Sequence, residues 1–149
     1  MQISENGVLL IKQFEGFSPT PYLDSTGIPT IGYGTIIYTN GTRVTMNDFP
    51  ITEEQATQYL ANNIDKKTAN INEMLMVTVN QNQFDSLASF AYNLGIVALH
   101  GSTLLRLVNQ GNFDGAAEEF PKWDHAGGHA ILGLTRRRAA EQQLFLTPC

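Results

Sequence analysis

Residues Phe14 to Thr35, FEGFSPTPYLDSTGIPTIGYGT, decide how this chain reads. An apolar helical pattern runs into the stretch and stops at Glu15. Pro19 and Pro21 prevent its continuation, because proline lacks an amide hydrogen and clashes with the preceding turn. Short extended runs, Tyr22 to Asp24 and Thr30 to Tyr33, then flank the turn residues Ser25-Thr26-Gly27 and predict a small antiparallel hairpin. One carboxylate ends a helix and another, nine positions on, sits in a turn, so their surroundings differ. General acid/base chemistry requires such a difference. On a glycosidic bond a neutral acid protonates the leaving group while an ionised partner handles a water or the positive transition state. Thr30, six positions after Asp24, can hydrogen-bond a water between them.

Upstream, Ile3, Gly7, Leu10, Ile11 and Phe14 form one face of an amphipathic helix that Ser4 can cap. Glu15 then meets the negative end of the helix dipole, which disfavours the ionised form. Alone, Glu15 reads as a solvated helix end and Asp24 as an Asx-turn residue holding Ser25 and Thr26. Their joint spacing with Thr30 favours chemistry.

Downstream, Asn40-Gly41 between Ile36-Ile37-Tyr38 and Arg43-Val44 predicts a second hairpin. Thr52-Glu53-Glu54-Gln55 is a capping box, and Ala56, Tyr59, Leu60, Ile64, Ile71 and Leu75 extend one stripe, predicting a single long helix over about 53–76. After Val77 to Val79 the pattern is helical throughout. Asn80 and Gln83 signal another cap, with a core stripe of Phe84, Leu87, Ala88, Ala91 and Leu94 ended by Gly95. Short helices follow, one opened by Ser102 or Thr103 and one by Asn112, the latter stopped by Pro121. Asp124 to His129 reads as a polar surface loop. Its two histidines, four apart among glycines, lack a metal-binding pattern.

The last helix, Leu134 to about Leu146, carries Arg136, Arg137 and Arg138, with Leu144 and Phe145 on its apolar side. Three consecutive residues point three ways around a helix, so at least one arginine turns inward. Arg138 is expected on the outer side.

The spacing of Glu15, Asp24 and Thr30, with Thr30-Ile31-Gly32-Tyr33-Gly34 after them, resembles the catalytic signature of the phage lysozymes, glycoside hydrolase family 24. Further blocks match in order: Ser89-Phe90-Ala91-Tyr92-Asn93-Leu94-Gly95, Ser102-Thr103-Leu104-Leu105, and Gly133-Leu134-Thr135-Arg136-Arg137-Arg138-Ala139-Ala140-Glu141. The resemblance implies an α+β, two-lobed lysozyme fold in one domain. A sheet lobe over about 15–55 would be joined by the long helix to a helical lobe over about 80–149, which packs with the N-terminal helix. It implies a muramidase endolysin that cuts the β-1,4 bond between N-acetylmuramic acid and N-acetylglucosamine, with Glu15 as acid and Asp24 and Thr30 positioning the water. It also implies glycan contacts at Ile36, Tyr92 and Thr103, and Arg136 or Arg137 positioning Glu15. Thr35 stands where many members have His, and Pro29 where a bulky residue is common. A lytic transglycosylase, or a non-catalytic peptidoglycan-binding or tail structural protein, is the alternative.

The chain has 149 residues, 42% of them hydrophobic, enough for a real core. Nine Lys and Arg against 14 Asp and Glu give a net charge of -5, which argues against nucleic-acid or anionic-membrane binding by bulk attraction. The single cysteine, Cys149, excludes an internal disulfide. The longest apolar run near the N-terminus, Val8 to Ile11, is far short of the roughly 20 residues of a membrane span. Together with the resemblance, this implies a monomer without cofactor or metal, made in the host cytoplasm and reaching the periplasmic wall only after a holin opens the inner membrane.

Overall fold

The structure is a computed structural model and describes every residue except Gly127. It divides into two compact units, Ile11–Lys66, and Met1–Leu10 with Lys67–Cys149.

The smaller unit begins in the C-terminal half of helix α1, Glu5–Glu15. Ile11 is wholly buried, and the helix stops where Gly16 takes a positive φ of 71°. Strands β1, Ser18–Leu23, and β2, Pro29–Gly32, form the expected antiparallel hairpin. Ser18 pairs with Gly32 and Tyr22 with Thr30, so the Pro19-Thr20-Pro21 segment bulges opposite Ile31. Prolines cannot donate to a ladder and are confined to such irregular edges.

The second predicted hairpin forms as a short one: Ile37 bridges Arg43, the Tyr38 amide donates to the Thr42 carbonyl and the Val44 amide to the Ile36 carbonyl, both at 2.9 Å. Asp48 accepts from the Thr45 amide (3.0 Å) and the Thr45 hydroxyl (2.6 Å), so the chain turns directly after Val44 and no ladder extends. Helix α2, Glu53–Thr68, opens on the predicted capping box: Thr52 Oγ1 accepts from the Gln55 amide and Gln55 Oε1 from the Thr52 amide. Ala56, Leu60 and Ile64 form its buried stripe.

The long helix over 53–76 is corrected: α2 ends at Thr68, and a separate turn, α3, covers Ile71–Met74. Asn70 between them has ψ of -5°, too flat to carry the i→i−4 ladder onward. The seven-residue step from Ile64 to Ile71 keeps both side chains buried with or without the break, so periodicity cannot reveal it.

In the larger unit, Ser4 caps α1 through its hydroxyl, which accepts from the Gly7 amide, while the Ser4 amide and hydroxyl both donate to the buried Asp85. Helix α4, Gln81–Leu94, has the full Asn80/Gln83 capping box and ends at Gly95. Short helices α5, Ile96–His100, α6, Thr103–Asn109, and α7, Phe113–Ala117, follow. Pro121 does not stop α7. It sits in the first turn of a 3-10 segment, Phe120–Trp123, where its missing N–H costs nothing. The expected loop of Asp124 to His129 contains a small ladder, β3, His125–Ala126, with β4, His129–Ala130; Gly127 lies outside the described residues. Helix α8, Leu132–Leu146, begins two residues earlier than predicted.

The core of this unit lies between α4 and α8. Phe90 meets Phe120 edge-on at 5.9 Å, and Phe120 meets Phe145 at 5.4 Å. Arg138 is corrected from the outer side to the inside: it is 0% exposed, while Arg136 is exposed. Arg138, Glu141 and Phe145 share one helix face at spacings of three and four, so the core face continues through the charged pair.

Candidate active site

Lys12, one turn before Glu15, donates to Glu53 Oε1 at 2.7 Å, and the Tyr33 hydroxyl donates to the same oxygen at 2.8 Å. Lys12 also lies 5.1 Å from the Tyr33 ring centre, and Tyr33 packs on Phe17 at 5.3 Å. The Glu53 hydrogen bond raises the Lys12 ammonium above its usual range, and the Lys12 hydrogen bond lowers the Glu53 carboxyl. This cluster ties the last turn of α1 to the start of α2. In the sequence Glu53 stands out only within a capping box and Tyr33 only within the family signature.

Glu15 is the final residue of α1 and is half-buried. Its Oε2 lies over Gly34, 3.6 Å from where a Cβ would stand. Gly34 has a φ of 87°, a conformation side chains rarely adopt, so glycine here gives both the turn after β2 and the open face beside the carboxylate.

Asp24 follows β1 directly. Its Oδ1 accepts from the Thr26 amide (2.8 Å), the Thr26 hydroxyl (2.7 Å) and the Ile28 amide (2.9 Å). The Ile28 amide first, then the Thr26 hydroxyl, hold the carboxyl below its ordinary range, so it stays ionised. Oδ2 makes no protein hydrogen bond among the described residues. The Asx turn therefore occupies one oxygen of the side chain and leaves the other open.

Thr30 is 3% exposed and donates its hydroxyl proton to the Ile28 carbonyl at 2.9 Å. Its remaining lone pairs can only accept. A water between Thr30 Oγ1 and Asp24 Oδ2 would give a proton to each and turn its own lone pair outward.

Tyr22, which sequence reading passed over except as a strand residue, is the cross-strand partner of Thr30 and shares the sheet face of Asp24. Burial, then the negative fields of Glu15 and Asp24, push its phenol above the ordinary value. Its two-residue spacing from Asp24 was the available signal.

Ile36 is partly exposed in this same unit. Tyr92, Thr103, Arg136 and Arg137 belong to the larger unit. There, Lys67 Nζ lies 4.7 Å from the Tyr92 ring centre. Thr103 is exposed on the first turn of α6, lining a groove with Met76, Val97 and Arg106. Thr35, where many family members carry His, is fully buried, and its hydroxyl has no hydrogen-bond partner among the described residues. Among the described residues, no group of three His, Cys, Asp or Glu could hold a metal ion.

The phage lysozyme family model matches residues 12–141. The chain is 43% identical over 147 residues to an endolysin of Bacillus phage B103, covering 99% of this chain but 55% of that relative. It thus spans about half the length of that protein. It is 40% identical to the endolysin of Salmonella phage P22, covering 99% of both. Among solved structures, the endolysin from Escherichia coli O157:H7 phage FAHEc1 superposes with a TM-score of 0.89 at 43% identity, covering 98% of this chain and 94% of that one. With the carboxylates, the threonine and the hairpin in one unit and the match running from Lys12 to Glu141, this chain belongs to the phage lysozyme family.

Proposed function

We propose that the protein is a muramidase endolysin, hydrolysing the β-1,4 bond between N-acetylmuramic acid and N-acetylglucosamine in bacterial peptidoglycan. The observation that carries this reading is the division of Asp24 between a structural Oδ1 and an Oδ2 free to take a proton from water, with Thr30 as a pure acceptor beside it. Glu15 protonates the leaving oxygen as the glycosidic bond breaks. The water held by Asp24 and Thr30 attacks the anomeric carbon, its proton passing to Asp24.

Ile36, Tyr92 and Thr103 contact the glycan in this proposal, and Arg136 or Arg137 positions Glu15. The protein works as a single-domain monomer without cofactor. No helix of the described residues is long and apolar enough to cross a membrane, and access to the wall by way of a holin completes the proposal.

The test is digestion of purified cell wall followed by analysis of the products. New reducing ends are expected. Products ending in 1,6-anhydro rings would instead identify a lytic transglycosylase, and no cleavage would identify a binder. Glu15→Gln keeps the shape and removes the proton donor, so cleavage should fall by about 100-fold or more. A folded Glu15→Gln protein with near-normal cleavage would remove Glu15 from the mechanism.

A further inference from the structure

Three tyrosines of the smaller unit sit near carboxylates, and two of them are bound in place. The Tyr33 hydroxyl donates to Glu53 at 2.8 Å, and the Tyr38 hydroxyl to Asp48 at 2.7 Å. The Tyr22 hydroxyl makes no protein hydrogen bond among the described residues, although it lies in the fields of both Glu15 and Asp24.

The backbone explains why Tyr22 stands there. Four steps of β1 from Ser18 to Tyr22 oppose only two of β2, from Gly32 to Thr30. The extra residues contain Pro19 and Pro21, whose fixed φ and missing amides force the bulge. A bulge re-aims the side chains after it, and here regular pairing resumes at Tyr22 opposite Thr30. Cross-strand partners lie side by side, so the ring of Tyr22 flanks the buried hydroxyl of Thr30. Asp24, two residues on, shares the same face. Tyr22 itself is 38% exposed, enough to present both a ring face and a hydroxyl to a ligand.

We propose that Tyr22 is a substrate-positioning residue at the cleaved bond. Its ring is the platform for the sugar whose anomeric carbon is attacked, and its neutral hydroxyl donates to the substituent at that sugar's 2-position. The inference rests on the muramidase reading above. An aromatic face suits the apolar face of a pyranose and spends little conformational entropy, because the ring turns about only two torsions. Burial, and after it the two carboxylates, oppose loss of the phenolic proton, so the group remains a donor. Hydrogen bonds to the 2-position strengthen as positive charge develops in the ring, so the hydroxyl acts mainly in the transition state.

Two variants separate ring from hydroxyl. Tyr22→Phe keeps the platform, and kcat on soluble uncrosslinked peptidoglycan chains should fall about tenfold while KM changes less than about twofold. Tyr22→Leu removes the platform. In the inactive Glu15→Gln background, it should weaken binding of the same glycan by about tenfold, measured by calorimetry. A merely structural residue would lower the thermal midpoint without this split between kcat and KM. Native kcat in Tyr22→Phe, or native glycan affinity in Glu15→Gln/Tyr22→Leu, overturns the proposal. Failure of the wild-type protein to release reducing ends would sink the muramidase reading instead, and the binding measurement would still decide whether Tyr22 is the platform.

Discussion

At the scale of single residues, the two readings of Asp24 that compete in sequence call on different oxygens of its carboxylate. Oδ1 holds the turn through three donors, and Oδ2 is left for water. Asp24→Asn keeps an oxygen for the turn but loses the charge, whereas Asp24→Ala loses both. We predict that Asp24→Asn retains a near-native melting temperature while cell-wall hydrolysis drops by about 100-fold, and that Asp24→Ala loses stability as well. Equal melting temperatures for the two variants would show that the turn does not depend on Oδ1. The pH dependence follows from the same contacts. Donors to the ionised form hold the folded carboxyl below its unfolded value, so its stabilising contribution is complete above the ordinary carboxylate range. That contribution fades as pH falls through the lowered folded value. Titration of the Asp24 carboxyl carbon by NMR should therefore give a midpoint below about 3.9, the ordinary value for aspartate.

At the scale of elements, α1 has a single demand that its apolar spacing hides. Gly7 is fully buried on the face where the spacing predicts a larger side chain. A Cβ there would stand 2.4 Å from Ile3 Cγ1 and 2.8 Å from Asp85 Cγ, closer than real contacts allow. Ile3 can turn away, but Asp85 is pinned by Ser4 and by Gln81 at 2.8 Å. Gly7→Ala should thus destabilise the protein by about 1–3 kcal/mol despite alanine's better helix propensity, as chemical denaturation would show. A neutral or stabilising result would mean that the Ser4–Asp85 anchor is looser than its geometry suggests. The hairpin, the capping boxes at Thr52 and Asn80, and the stop at Gly95 were legible because each rests on local chemistry. The break at Asn70 was not, because a seven-residue apolar step fits a broken helix as well as a whole one. Arg138 was misplaced because the inward position was given to Arg136 or Arg137, while the spacing of Arg138, Glu141 and Phe145 already marked one face. Of the candidate site, Glu15, Asp24 and Thr30 stand out by spacing, and the structure places all three in the smaller unit. For Tyr22 the spacing from Asp24 is visible, but its aim depends on a bulge in the pairing of two strands.

At the scale of the whole molecule, the larger unit is built around a charge cluster where a hydrophobic contact would be expected. Glu141 is 0% exposed, and its Oε2 accepts from the Ser89 hydroxyl at 2.5 Å, Arg138 Nη2 at 3.1 Å and Arg137 Nε at 3.4 Å. Arg138 Nε stands 2.7 Å from Oε1 but off the hydrogen-bond axis, an ion contact without a directed bond. Arg138 also donates to Asn93 Oδ1 at 2.8 Å and lies over the Phe90 ring at 5.3 Å. Burial pushes the Glu141 carboxyl up and the Arg138 guanidinium down, and each charge opposes the other's shift. The cluster joins α4 to α8. Removing this carboxylate takes the counter-charge from the buried Arg138 guanidinium, which costs about 3–5 kcal/mol. A domain of this size holds only about 5–15 kcal/mol in total. Glu141→Leu should therefore unfold much of the protein near physiological temperature, seen as a large fall in the calorimetric midpoint. Combining Glu141→Leu with Arg138→Met removes the uncompensated charge and should recover much of the loss, since a well-packed apolar replacement of a buried pair is often neutral. A Glu141→Leu protein less than about 1 kcal/mol weaker than the parent would show that solvent reaches the guanidiniums and that the α4–α8 core stands without the pair.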